Sequence, residues 1–453
     1  MAHPVTHVSS YLPVPRIWRY TRPLARFLQI ESASGSVLLV CTVVALVLAN
    51  SPAAAAVHTF WHTPVRLGIG AFALGGELGH FVINDVLMTV FFFVVGLEIK
   101  RELVAGELRE WRKAALPVAA ALGGMLVPAG LYMALQARHF GEPQFRGWGV
   151  PMATDIAFVV GIMAVLGPRV PLGLKIMMLA LAIADDIGAV VVIAAFYSSG
   201  LDGFMLLLAA AGFAVVRMLN EAGVRSVGVY VAVGALIWVA VHRSGVHPTV
   251  AGVALGLLTP SEVWVGREAL RLSIADLQAQ LATAPGDVLV EDLELVAFAA
   301  QESVSPLERL EHALHPWVGF AIMPLFALAN AGVHVELSAI TEPVSVAVAL
   351  ALLLGKPTGV VLFSALAVRF GVAKLPQGVS WPALVGAGFL AGIGFTMSLF
   401  VAGLAFGAEA RLLADAKIGI LLGSVLSALV GAGLLLFTLR RAVGSHKVED
   451  PTD

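Results

Sequence analysis

The chain has 453 residues, 59% of them hydrophobic and only 13% charged, with a mean hydropathy of +0.90. A soluble protein of this size carries about 25% charged residues, so a water-soluble globular domain is excluded and a polytopic helical membrane protein is expected. The net charge of −2 says little, because placement outweighs the sum in such proteins, and the single Cys41 excludes an internal disulfide and gives no metal-site spacing.

Twelve apolar segments follow in chain order, near 34–50, 83–104, 115–137, 146–167, 172–197, 202–219, 226–242, 245–259, 311–333, 344–368, 381–404 and 415–439. The predicted fold class is therefore all-α and polytopic, with about 12 transmembrane helices. The long basic lead-in and the long apolar run over 35–50 favour an uncleaved first span over a signal peptide ending at the alanines before Val57. The connection 51–82 contains "VRLGIGAFAL", whose loose alternation predicts a short β-hairpin. The longest polar connection, 260–306, holds many acids. In it "REALRLSIADLQAQL" sets Leu270, Ile274, Leu277 and Leu281 on one helical face. "SPLERLEH" then offers Ser305 as N-cap, Pro306 at the first helical position and Glu308 closing a capping box. One surface helix leading into the ninth span is expected there.

Lysine and arginine decide orientation. They gather in the N-terminal tail (Arg16, Arg19, Arg22, Arg26) and in alternate connections: Lys100, Arg101, Arg109, Arg112 and Lys113; Arg169 and Lys175; Arg217 and Arg225; Arg267 and Arg271; Arg369 and Lys374; Arg440, Arg441 and Lys447. Of the other connections, 197–203 and 334–343 contain none, while the rest hold Arg66, Arg138, Arg146, Arg243 and Arg411. The bias is partial, but it fits best a 34–440 transmembrane domain with the tails 1–33 and 441–453 and the 260–306 loop all on the cytoplasmic side.

Polar residues in the middle of the spans carry the functional signal. "LALAIADDIGAVVVIAAFY" (179–197) places Asp185 and Asp186 halfway along an apolar helix. A charge there costs a few kcal/mol on insertion scales, so a functional role is the default reading. At 100° per residue both carboxylates can border one cavity. Lys356, mid-span in "LLLGKPTGVVL", is the natural counter-charge for one of them. "GVPMATDIAF" puts Thr154 and Asp155 just after Pro151, and "GFLAGIGFTMS" puts Gly388, Gly392 and Gly394 ahead of Thr396 and Ser398. Proline and glycine at that depth predict helices interrupted at the midplane. Their carbonyl ends can bind a cation, and their N-terminal ends attract a carboxylate such as Asp155. Spans three to five run straight, interrupted, charged; spans ten to twelve run charged, interrupted, straight, and start from the opposite side. That is the plan of an inverted repeat, with two interrupted helices crossing at the midplane.

At these residues the sequence resembles the bacterial NhaA-type sodium/proton antiporters, a family built on the same inverted-repeat plan. The matching stretches include "INDVLMTVFFFVVGLEIKREL" (83–103), "PMATDIAFVVGIMAVLG" (151–167), "LALAIADDIGA" (179–189), "SGVHPTVAGV" (244–253), "RLEHALHPWV" (309–318), "PLFALANAGV" (324–333), "GKPTG" (355–359) and "GIGFTMSLF" (392–400). They run in order from about residue 25 to 440; the extended 260–306 loop is the main departure. The resemblance implies secondary exchange of Na+, and with it Li+, for H+, electrogenic and pH-regulated, in the bacterial cytoplasmic membrane. It implies no cofactor, no enzymatic activity and no nucleic-acid partner, only the transported ions, the lipid bilayer and a homodimer with the 51–82 hairpin as a candidate contact. Asp185 and Asp186, with Thr154 nearby, would form the sodium site. Asp155 would balance the facing ends of the interrupted helices, and Lys356 would pair with Asp185 while sodium is absent.

A second cluster is expected to regulate. Glu98, Arg101 and Glu102 end span two, and Glu311, His312 and His315 open span nine on the same side. Histidine changes charge between pH 5 and 8, and the resemblance ties this mouth, and separately His247, to pH response; the alternative is an ordinary solvated interface. Asp85 would line the outer funnel or cap a helix. Of the rival readings, an intramembrane aspartyl protease needs its two aspartates on separate helices. A channel needs no titratable pair matched to a lysine. A sodium-coupled symporter of an organic anion shares the crossed-helix plan and stands as the alternative.

Overall fold

The structure, a computed structural model, describes residues 31–69, 72–198, 200–224, 226–283 and 290–445. Arg16, Arg19, Arg22, Arg26, Arg225 and Lys447, counted above for orientation, lie outside the described residues.

The described chain is helical except for one hairpin. α1 spans Glu31–Ala49 and α2 Ala54–Trp61. Strands β1 (Pro64–Ile69) and β2 (Phe72–Glu77) pair antiparallel, Pro64 opposite Glu77 and Ile69 opposite Phe72, as the alternation predicts. There follow α3 (Leu78–Val104), α4 (Trp111–Leu135), a 3₁₀-helical segment Pro143–Met152 and α5 (Ile156–Leu166). Next come α6 (Leu172–Phe196), α7 (Gly203–Glu221), α8 (Val227–Arg243) and α9 (Thr249–Leu258). α10 (Arg267–Thr283) and α11 (Val290–Glu302) precede α12 (Pro306–Asn330) and α13 (Pro343–Arg369). α14 (Trp381–Ala391), α15 (Phe395–Phe406) and α16 (Ala410–Ser445) close the chain.

In a hydrocarbon surround every backbone N–H and C=O must find a partner within the protein, which leaves helices as the solution for apolar runs of this length. Among the described residues, eight helices are long and apolar enough to cross a membrane. The number rises to ten if α1 with α2, bent by 115°, and α14 with α15, bent by 45°, each count as one span. The expected twelve is not reached on length and composition. The segments predicted as spans seven and eight are α8, of 17 residues, and α9, of only 10, cut off by the turn at Pro248.

The first members of the two expected triads pack against each other. α4 and α13 run antiparallel in contact, Gly123 beside Gly359 and Pro128 beside Gly355. A Cβ on Gly123 would stand 2.1 Å from the Gly359 carbonyl oxygen, so only glycine permits this approach. Among the described residues, three helices contain π-helical turns, Leu78–Leu87 in α3, Val318–Ile322 in α12 and Ala351–Gly355 in α13, the last ending directly before Lys356. Such turns interrupt the regular ladder and recur at functional positions.

The polar connection differs from its expected form. It holds two helices, α10 and α11, rather than one. The N–H groups of Trp264 and Val265 donate to the Glu302 carbonyl, each at 3.1 Å, and Arg309 binds the buried Glu302 carboxylate at 3.0 Å. These bonds fold the loop back against the start of α12. The second helix is hidden in the sequence because 290–302 is too acidic to look like a span and too apolar to look like a loop. Leu270 and Leu277 are half-buried, but Ile274 is exposed; the side chain of Leu281 lies outside the described residues. Ser305 caps α12, accepting from the Glu308 N–H at 3.2 Å, with Pro306 at the first helical position.

Candidate ion-binding site

Two helix breaks meet. Residues 153–155 interrupt the line from the 3₁₀ segment to α5, and residues 392–394 separate α14 from α15. The Asp155 N–H donates to the Ile393 carbonyl at 2.7 Å, the Thr154 hydroxyl to the Ala391 carbonyl at 3.1 Å and the Ser398 hydroxyl to the Val150 carbonyl at 2.7 Å. Each break thus satisfies backbone groups that the other leaves open, as a buried irregular backbone requires. Gly392 and Gly394 are needed for this closeness. A Cβ on Gly392 would come within 2.5 Å of the Leu352 carbonyl, and one on Gly394 within 3.0 Å of the Ala153 carbonyl.

Asp155 sits where two helix N-termini converge. Its Oδ1 accepts from the Phe158 N–H at 3.4 Å, capping α5, while its Oδ2 accepts from the Thr396 N–H at 3.0 Å and from the Thr396 hydroxyl, capping α15. A carboxylate between two positive dipole ends is well placed electrostatically. The opposite, negative end is also compensated, because Lys356 Nζ donates to the Met152 carbonyl at the C-terminal end of the 3₁₀ segment.

Lys356 makes a second bond, to Asp185 Oδ2 at 2.6 Å, and both side chains are completely buried. The other oxygen of Asp185, Oδ1, is turned toward Thr154 rather than Lys356 and makes no close hydrogen bond among the described residues. Thr154 lies beside Asp185, and Asp186 follows on α6, itself only 6% exposed. The grouping therefore brings together all five residues expected at the site: Asp185, Asp186, Thr154, Asp155 and Lys356. Its donors are carboxylate, hydroxyl and carbonyl oxygens, the hard ligand set that suits an alkali or alkaline-earth cation rather than a nitrogen- or sulfur-seeking metal.

The residues expected to regulate divide into two groups. At one end of α3, Arg101 pairs with Glu311 and lies 3.9 Å from Glu102, and His315 Nδ1 stands 3.6 Å from Glu98. Glu98 is close enough to Asp186 for the two charges to interact. His312, next to Glu311 on α12, is exposed. His247 is elsewhere. Its Nε2 stands 3.7 Å from Oδ1 of the buried Asp85, near the other end of α3, and His80 Nδ1 stands 3.5 Å from Asp85 Oδ2. Thirteen helical residues, about 20 Å, separate Asp85 from Glu98. The mouth therefore gathers Glu98, Arg101, Glu102, Glu311 and His315, with His312 exposed beside Glu311, while His247 belongs with Asp85 at the opposite end.

Sequence reasoning leaves two contributors without a role. Thr396 is singled out only as following the glycine break, not as the partner of Asp155. The Met152 carbonyl, which holds Lys356, is a backbone group and leaves no trace in residue type.

Comparison with known proteins identifies the family. Residues 25–435 match the family model described as Na+/H+ antiporter 1. A protein of Rhodopirellula baltica named Na(+)/H(+) antiporter NhaA is 50% identical over 440 residues, covering 96% of this chain and 99% of its own length. One of Sorangium cellulosum, named Na(+)/H(+) antiporter NhaA 2, is 51% identical over 445 residues, covering 96% and 94%. A Rhizobium meliloti relative named Na(+)/H(+) antiporter NhaA is 48% identical over 428 residues, covering 93% and 96%. The chain belongs to the Na+/H+ antiporter 1 family.

Proposed function

We propose that this chain is a secondary active antiporter of the inner membrane that expels Na+, and also Li+, in exchange for H+. The observation that carries the reading is the fully buried Asp185–Lys356 ion pair, with Asp186 and Thr154 beside it, at the meeting point of two broken helices. A buried ion pair is weak evidence for stability, since apolar replacements are often as stable. Its placement next to a second buried carboxylate and the Thr154 hydroxyl favours a site where cations exchange.

In this reading the two aspartates are never left charged and alone. Lys356 neutralises Asp185 when the site holds no sodium. Sodium, entering between Asp186, Asp185 and Thr154, competes with that pairing and draws Asp185 away. An unpaired buried ammonium costs several kcal/mol, so sodium binding is coupled to proton release. Two protons exchanged for one sodium make the cycle electrogenic. Asp155 keeps the crossing rigid while the site is exposed to one side at a time. The Glu98–Arg101–Glu102–Glu311–His312–His315 mouth adjusts activity to pH through the histidines and the carboxylates facing them. Both termini lie in the cytoplasm, and the β1–β2 hairpin joins two copies in a homodimer.

The test is direct. In proteoliposomes with a preset pH gradient, adding Na+ should dissipate the gradient, while adding choline should not. A gradient indifferent to Na+ would overturn the assignment.

A further inference from the structure

A cavity of about 640 Å³ lies among the N-terminal end of α4, the start of α6 and the connection between α13 and α14; neither aspartate lines it. Its composition is divided. The floor is apolar and buried, formed by Leu116, Met177, Ala180 and Ala373. The rim carries the exposed cations Arg112, Lys113 and Lys374 against one carboxylate, Glu107. Lys113 also pairs with the exposed Glu110 at 3.1 Å. A basic rim disfavours entry of Na+ or H+, so the cavity is poorly suited as an ion path. It is suited to an anionic group attached to an apolar body. The neighbouring surface is apolar and open: Ile176, on the wall, is 38% exposed, Leu172 72% and Trp111 71%. On a membrane-spanning protein such residues face lipid tails, with tryptophan favoured at headgroup level.

We propose that this cavity binds an anionic phospholipid of the leaflet that meets this face, its phosphate held by Arg112, Lys113 and Lys374 and the first carbons of one acyl chain resting on Leu116, Ile176 and Met177. Basic pockets between transmembrane helices are a recurring way of holding such headgroups, and the volume lies within the range of small-molecule sites. The placement has a structural consequence. Ala180 precedes Asp185 on the same helix by little more than one turn, and on α4 a Cβ at Gly124 would come within 3.7 Å of the Lys356 side chain. A lipid seated here clamps the two helices that frame the ion pair.

The test uses the full-length protein, purified in detergent and stripped of lipid. Dioleoylphosphatidylglycerol should raise its melting temperature more than dioleoylphosphatidylcholine does, and native mass spectrometry should retain the former preferentially. The variant R112Q/K113Q/K374Q, altered only at exposed side chains, should lose that preference, with apparent affinity for phosphatidylglycerol weakened about tenfold or more. A control variant, R267Q/R271Q, with two exposed charges removed from α10, should keep it. An equal response of wild type to the two lipids, or an unchanged preference in the triple variant, would overturn the proposal. So would glycerol phosphate reproducing the whole stabilisation, since that would assign the site to a soluble phosphate ester.

Discussion

Lys356 Nζ lies 2.6 Å from Asp185 Oδ2, and neither side chain has exposed surface. The lysine therefore has two separable jobs, to neutralise Asp185 and to hold the Met152 carbonyl at the helix break. Lys356→Ala should destabilise the protein by up to about 3–5 kcal/mol, the cost of removing one partner of a buried pair, and by less once a proton neutralises Asp185. Thermal unfolding of the purified variant reads this loss. Current recordings on a solid-supported membrane then separate the roles. A changed charge per cycle makes Lys356 a proton carrier. Continued exchange that stays fully electrogenic makes it a structural partner, and the second proton belongs to Asp185.

Asp155 holds two helix ends at once, so its removal should cost more than an ordinary cap. One N-cap substitution costs about 0.5–2 kcal/mol, and Asp155→Ala should lose about 1–3 kcal/mol. Thr396→Val, which keeps the backbone bond and loses the hydroxyl bond, should lose less. Because the two side chains share one contact, the double variant should be less destabilised than the sum of the singles. Strict additivity in unfolding measurements would place the two in separate interactions.

Much of this arrangement is legible in the sequence, for a physical reason. In hydrocarbon a charged or backbone-breaking residue is too costly to be incidental. Asp185, Asp186, Lys356, Asp155 and the glycines of 392–394 therefore stand out against apolar surroundings. Charge alone pairs Lys356 with one of the two aspartates; that the partner is Asp185 is implied only by the family resemblance. What stays hidden is contact through backbone and contact over distance. The Met152 carbonyl has no residue-type signature, and His247 can be assigned to Asp85 only once α8, α9 and α3 are packed together. The count of twelve spans is not confirmed, because hydropathy does not distinguish a 10-residue helix such as α9 from a full crossing.

Close packing at the α4–α13 contact makes a third expectation. Gly123→Ala would drive a methyl group into the Gly359 backbone, which has no flexible side chain to yield. Overpacking of this kind typically costs about 1–3 kcal/mol. The melting temperature should fall and the Asp185–Lys356 spacing should be disturbed. A variant of wild-type stability would mean that the helices separate more easily than their packing implies.

The mouth at Glu98 and Glu311 should respond to pH without carrying the ion. Glu311→Gln breaks the pair with Arg101, and His315→Ala removes the partner of Glu98. Each change should move the pH–activity profile while maximal exchange persists. Complete loss of exchange, with no shifted profile, would make these residues structural or part of the ion path.

The account rests on sodium and protons competing for the carboxylates of Asp185 and Asp186, and sodium binding measured by isothermal titration calorimetry tests that most directly. In the wild-type protein, titrations in buffers of different ionisation enthalpy should report proton release on sodium binding. The apparent affinity should fall as pH is lowered, by as much as about tenfold per pH unit for each proton displaced. Asp186→Asn should abolish the sodium-dependent heat. Sodium binding that releases no proton, or that survives at wild-type strength in Asp186→Asn, would contradict it.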